Sequence, residues 1–158
     1  GAHSSTTRRI TAMANEKQKL DNQLCFRLYT ASRLMTQAYE PLFKPFGITY
    51  TQYLVLMVLW EKDEQPVNDI GKRLYLGINT TSPLIKRMEK MELVARRDSE
   101  TDKRQQIVYL TAKGKAMKRR AKNIPDCIIN KINDSELKLD RLISIAPLLD
   151  EFIEKMSK

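Results

Sequence analysis

From Leu20 onward, apolar side chains recur at steps of three and four in LDNQLCFRLYTASRLMTQAY, a spacing that predicts an amphipathic helix over residues 20–39. Pro41, Pro45 and Gly47 then break the pattern, and Thr49 or Thr51 can cap a second helix, TQYLVLMVLWEKD. That helix is apolar nearly all round and belongs in a core, with Trp60 packed there. In EQPVNDIGKRLYL, Pro66 stands near a helix start, Ile70, Leu74 and Tyr75 keep helical spacing, and Gly77 supplies a turn. The next helix, NTTSPLIKRMEKM, has Pro83 in its first turn, where a missing N–H costs little, and apolar residues at Leu84, Ile85, Met88 and Met91.

Beyond Met91 the pattern alternates. ELVARR and QQIVYLT read as strands, and DSETDKR between them is a charged turn without an apolar side chain. Thr111 caps a long helix through AKGKAMKRRAKNIPDCIINKI, which Pro125 bends or divides. The last segment, SELKLDRLISIAPLLDEFIEKM, carries an apolar stripe at Leu139, Leu142, Ile143, Leu148, Leu149, Phe152 and Ile153, with a kink expected at Pro147. Two short helices across a tight turn, followed by a hairpin with a basic tip, make a mainly α fold with a small β-hairpin wing: a winged helix-turn-helix. Its helix suits a DNA major groove and its tip can carry an arginine into the minor groove. The terminal amphipathic helices present more apolar surface than one small domain covers, so burial against a second copy is expected.

Charge sharpens this picture. The chain of 158 residues has a net charge of +9, and between Pro83 and Lys122 thirteen Lys or Arg face five Asp or Glu, a local surplus of +8. Such a block is commonly a solvated face, but beside helix-turn-helix punctuation it suits a polyanion. Composition also eliminates. The single histidine is His3, two cysteines cannot build a Cys-rich metal site, and five scattered glycines form no phosphate-binding loop. No metal, no cofactor and no ordinary enzyme is expected. No stretch approaches 18 uninterrupted apolar residues, so no membrane span is expected either. Residues 1–17 are polar and read as a disordered arm or a cloning remnant, with residues 18–158 as a single domain.

One residue stands apart. If Asp21 caps the first helix, Cys25 lies in its opening turns, where unsatisfied backbone N–H groups and the helix dipole favour an anion such as a thiolate. Tyr29 is four residues on and shares its face. Tyr39 also lies near that face, but fourteen residues at the helical rise put it about 21 Å away, within reach only of a Cys25 on an antiparallel partner. A buried, inert cysteine among packing tyrosines is the competing interpretation.

The run from Leu20 to about Leu149 resembles the MarR family of winged-helix repressors, and within it the organic-hydroperoxide-sensing, OhrR-type branch. The residues that carry the resemblance are LDNQLCFRLYTASR, ITYTQYLVLMVLWE, GKRLYL, TTSPLIKRMEKMELVARR and DSETDKRQQIVYLT. It implies a homodimeric, cytoplasmic repressor with a winged helix over about 48–112 and dimerisation helices over about 20–42 and 112–157. Cys25 would be the peroxide sensor, with Tyr29, Tyr39 and Tyr50 around it. Its sulfenic acid would release double-stranded operator DNA bearing an inverted repeat. The resemblance places the recognition helix at Asn79 to Met91, with Asn79, Thr80, Thr81, Ser82, Lys86 and Arg87 as DNA contacts. It places Arg97, Asp102, Lys103 and Arg104 in the wing, Asp102 positioning the hairpin and Arg104 entering the minor groove. This chain has LGINTTSP where the branch commonly has LDSGTLTP, a difference that bears on base specificity. Cys127 is the candidate to resolve the sulfenic acid as an intersubunit disulfide, although it stands about one turn earlier than usual; a small thiol is the alternative partner. Two other readings compete: a MarR-type repressor gated by a small lipophilic or phenolic ligand with Cys25 incidental, and a basic thiol peroxidase.

Overall fold

The computed structural model describes residues 18, 19 and 23–158; the arm over 1–17 and the Asp21 cap lie outside them. The chain divides into two compact units, residues 1–39 and 40–158. Helix α1 (Leu24–Phe43) crosses that boundary and runs through Pro41 without ending there, contrary to the expected break. The carbonyl that loses its donor is that of Gln37, an exposed residue open to water, and only two helical residues follow the proline. The stop comes in a 3₁₀ turn, Lys44–Phe46, closed by Gly47 at φ 67°.

Helix α2 (Tyr50–Glu61) opens with a reciprocal cap: the Thr49 hydroxyl accepts from the Gln52 N–H (3.4 Å) and the Gln52 side chain accepts from the Thr49 N–H (3.0 Å). Its Val55, Leu56 and Leu59 are buried, and they share the core of the 40–158 unit with Ile70, Ile85, Met88, Leu93 and Val108. Each such side chain contributes about 1.5–3 kcal/mol when withdrawn from water. Trp60 is packed as expected, and its indole N–H donates to the carbonyl of Gly114 (3.0 Å).

Strand β1 (Gln65–Pro66) leads into α3 (Val67–Arg73), α4 (Ile78–Lys90), β2 (Val94–Asp98) and β3 (Gln106–Leu110). The antiparallel sheet has the order β1-β3-β2, with Val94 opposite Leu110 at the base and Asp98 opposite Gln106 near the tip. β1, two residues long and half proline, has no periodicity of its own; it exists because Gln65 and Pro66 lie against Val108 and Ile107.

Helix α5 (Ala112–Arg120) is capped by Thr111, whose hydroxyl accepts from the Gly114 N–H (3.1 Å). It is seated on the end of α4. Lys113 Nζ donates to the Met91 carbonyl (2.9 Å), and a Cβ at Gly114 would stand 2.2 Å from the Leu93 oxygen. The long helix anticipated here is divided at residues 121–123, and Pro125 falls in the first turn of α6 (Ile124–Asp134). Pro147 likewise marks a full break between α7 (Leu139–Ile143) and α8 (Ala146–Met156), beyond the kink expected. Along α8, Leu148, Phe152 and Met156 remain exposed. Among the described residues no single helix is long and apolar enough to cross a membrane.

Candidate nucleic-acid interface and thiol site

Helices α3 and α4 meet closely because Gly71 has no side chain: a Cβ there would lie 2.8 Å from the Leu76 oxygen and 2.9 Å from Thr81 Oγ1. The turn between them bends at Tyr75, in the left-handed region at φ 56°. Tyr75 therefore leaves the helical face on which its spacing placed it and is exposed, while Gly77 is the extended residue preceding α4. The helix starts at Ile78, so Pro83 sits in its second turn and not its first. The carbonyl it leaves without a helical donor is that of exposed Asn79.

The candidate contact residues separate by helical phase. Asn79, Thr80, Lys86 and Arg87 are exposed and Ser82 is half-buried. Thr81 is fully buried, and its hydroxyl donates to the Gly77 carbonyl (2.9 Å). The expectation that Thr81 contacts DNA is corrected: it continues the buried stripe of Leu84, Ile85 and Met88.

At the wing tip the Asp102 carboxylate accepts from the Arg104 N–H (3.0 Å) and from its Nε (3.3 Å). Buried Ser99 accepts from the Asp102 N–H (3.2 Å). These bonds fix the loop and leave the Arg104 side chain 91% exposed, projecting from a held backbone. Lys103 is exposed beside it. Arg97 on β2 is exposed as well, with Nη2 3.3 Å from Glu64. Between helix and hairpin, Asn68, Arg96, Gln105 and Gln106, which the sequence did not single out, join Ser82 and Arg104 among the residues lining a hollow of about 160 Å³. They come from α3, α4, β2, β3 and the wing loop, and only the fold brings them together.

Within the first unit, Cys25 is the second residue of α1 and carries a free, exposed thiol. Leu24, Phe26 and Tyr29 around it on the helix are also exposed, Tyr29 by 69%. Cys25 is thus no core residue of its own chain. Tyr39 lies further along the same helix, and Tyr50 opens α2 with its ring 6.4 Å from that of Phe43. Neighbouring Tyr53 is buried against Phe43, and burial, with Tyr50 beside it, raises its phenol above the ordinary value of 10.0. Cys127, the fourth residue of α6, is a second free and exposed thiol.

An exposed polar helix after a tight turn, beside a hairpin that holds out an arginine, defines a winged-helix DNA-binding protein. The chain matches the family of SarA/Rot transcriptional regulators over residues 37–121. It is 43% identical to the organic hydroperoxide resistance transcriptional regulator of Bacillus subtilis, over 82% of this chain and 88% of that one. Among solved structures it is similar to reduced AbfR bound to DNA, with a TM-score of 0.74, 39% identity, and 92% and 99% of the two chains covered. AbfR, a Staphylococcus epidermidis protein, also matches in its disulfide form, with a TM-score of 0.61, 38% identity, and 91% and 99% covered. The chain belongs to the winged-helix transcriptional regulators of SarA/Rot and MarR type, and is a DNA-binding transcriptional regulator.

Proposed function

We propose that the chain is a cytoplasmic, dimeric repressor that senses organic hydroperoxides through Cys25 and, once oxidised, releases an inverted-repeat operator. The observation that carries this reading is the free, exposed thiol of Cys25 in the opening turn of α1, with Tyr29 one turn on. The thiolate is the reacting form of a cysteine, and exposed Leu24 and Phe26 offer apolar surface to the organic part of a peroxide. The thiolate attacks the terminal oxygen of R–O–O–H. An S–O bond forms as the O–O bond breaks, the sulfur gives up two electrons and becomes a sulfenic acid, and the alkoxide takes a proton and leaves as an alcohol. Tyr29 supplies a hydroxyl to this centre, joined by Tyr39 and Tyr50, some from the partner protomer. The partner subunit's Cys127 then attacks the sulfenic sulfur, forming a disulfide and expelling water; a small thiol serves where Cys127 does not reach. The likeness to the B. subtilis hydroperoxide resistance regulator and to AbfR in reduced and disulfide forms supports this reading.

On DNA, α4 lies in the major groove with Asn79 and Thr80 toward base edges and Ser82, Lys86 and Arg87 toward phosphates. Arg104 enters the minor groove from a tip held by Asp102, and Lys103 and Arg97 meet the backbone. The exposed apolar face of α8 and the first helix bury against the second copy, which sets half-site centres about one helical turn apart. Trapping tests the chemistry: in a Cys127→Ser protein free of small thiols, dimedone present during treatment with one equivalent of cumene hydroperoxide should label the Cys25 peptide. An unlabelled Cys25 with peroxide consumed would overturn the assignment.

A further inference from the structure

A winged helix that places α4 in the major groove, about 12 Å wide, and its hairpin in the adjoining minor groove, about 6 Å wide, straddles the phosphodiester strand between the two. This inference rests on that mode of binding, proposed above. The strand must cross the surface between Ser82 on α4 and Arg104 in the wing, and the hollow of about 160 Å³ lies there. None of its lining residues is acidic. Asn68 comes from the start of α3, Arg96 from β2, and Gln105 from the strand-side end of the wing.

The donors around it are unspent. Arg96 places only its Nε on Glu89 Oε1 (2.7 Å), with its side chain still 26% exposed, which leaves both Nη groups to donate elsewhere. Gln106 is engaged with Asp98, whereas the side chains of Asn68, Ser82 and Gln105 carry no hydrogen bond to a described residue. Glu89 also acts as a brace. It holds Arg96 from the recognition helix, so that helix and wing strand carry one shared cation between them.

We propose that this hollow is the seat of the phosphodiester strand between the two grooves, with Arg96 Nη, Gln105 Nε2, Asn68 Nδ2 and the Ser82 hydroxyl donating to phosphate oxygens. Contacts of this kind fix register without reading sequence. Arg96 neutralises a phosphate and so takes part in counterion release, while Gln105 and Asn68 add neutral bonds that leave the salt dependence unchanged.

The test is a salt series of binding titrations on a mixed-sequence duplex of about three helical turns, with wild type, Arg96→Gln, Glu89→Gln, Gln105→Ala and Arg104→Gln. Arg96→Gln removes one phosphate contact per protomer, two per dimer, and should flatten the slope of log K against log salt by about 1.8. Glu89→Gln breaks the same ion pair but keeps the cation, and should bind at least as tightly with the wild-type slope. Gln105→Ala, whose side chain makes no hydrogen bond to a described residue, should weaken binding about fivefold per protomer at constant slope. A wild-type slope in Arg96→Gln, or equal weakening by Arg96→Gln and Glu89→Gln, would overturn the proposal and reduce Arg96 to a structural partner of Glu89. If only Arg104→Gln loses affinity, the groove-binding reading stands and the hollow fails. Absence of duplex binding by the wild type sinks both.

Discussion

Replacing Thr81 with valine separates a DNA-reading residue from a structural one at the start of the recognition helix. The Thr81 side chain is fully buried, so valine keeps the shape and removes only the hydroxyl. The bonds lost are a longer one to the Leu76 carbonyl (3.4 Å) and a short one to the Gly77 carbonyl (2.9 Å), whose oxygen still accepts from the N–H groups of Thr80 (3.1 Å) and Thr81 (2.9 Å). The Gly77 oxygen stays paired and the Leu76 carbonyl belongs to a half-buried residue, so the cost is mainly that of the short neutral hydrogen bond, about 0.5–1.5 kcal/mol. For a chain of this length that lowers Tm by about 2–6 °C. The melt is compared at one fixed protomer concentration, because association adds to apparent stability. Anisotropy titration on the promoter duplex next to the protein's own gene should give wild-type affinity. Ser82→Ala should do the opposite, with unchanged Tm and weakened binding. A Thr81→Val protein that melts like wild type but loses tenfold or more in affinity would refute the assignment of Thr81 to the turn.

Three further outcomes follow from the same geometry. Gly114→Ala puts a Cβ 2.2 Å from the Leu93 oxygen and forces α5 off the end of α4, so it should destabilise by about 1–3 kcal/mol in urea unfolding; Gly77→Ala, with nothing within 4 Å, should be neutral or slightly stabilising. Burial raises the Tyr53 phenol, so the folded state holds a proton that the unfolded chain releases near 10.0; stability should be unaffected below that pH and fall as pH rises above it. Tyr53→Phe should remove that part of the alkaline loss, and an unchanged profile would show that Tyr53 is not its source. Leu148→Lys on the exposed face of α8 should shift sedimentation from dimer to monomer and weaken operator binding; a variant that stays dimeric at low micromolar concentration would remove α8 from the interface.

Much of the winged helix is legible in the sequence because its punctuation is local. Thr49, Thr111 and the charged DSETDKR turn act within a few residues of themselves, and each does in the structure what its residue type suggests. Thr81 was legible too, had phase been given more weight than polarity: 81, 84, 85 and 88 are one helical stripe. Tyr75 was not, because a left-handed tyrosine is imposed by the packing of α3 on α4 and leaves no mark in composition. β1 depends on β3 forty residues away, and the hollow draws on four separated segments, so neither has a local signal. Pro41 misled for a related reason. A proline breaks a helix only where the freed carbonyl has no other partner, which depends on exposure. Cys25 and Tyr29 are marked in the sequence by their spacing, while the exposure that takes the Cys25 thiol out of the core came with the fold.

The central claim is that Cys25 is the switch. A gel-shift titration on the promoter next to the protein's own gene tests it, with wild type and Cys25→Ser compared before and after one equivalent of cumene hydroperoxide. The account predicts that both reduced proteins bind, that peroxide abolishes binding by the wild type, and that Cys25→Ser stays on DNA. Release of both proteins by peroxide, or of neither, would contradict it.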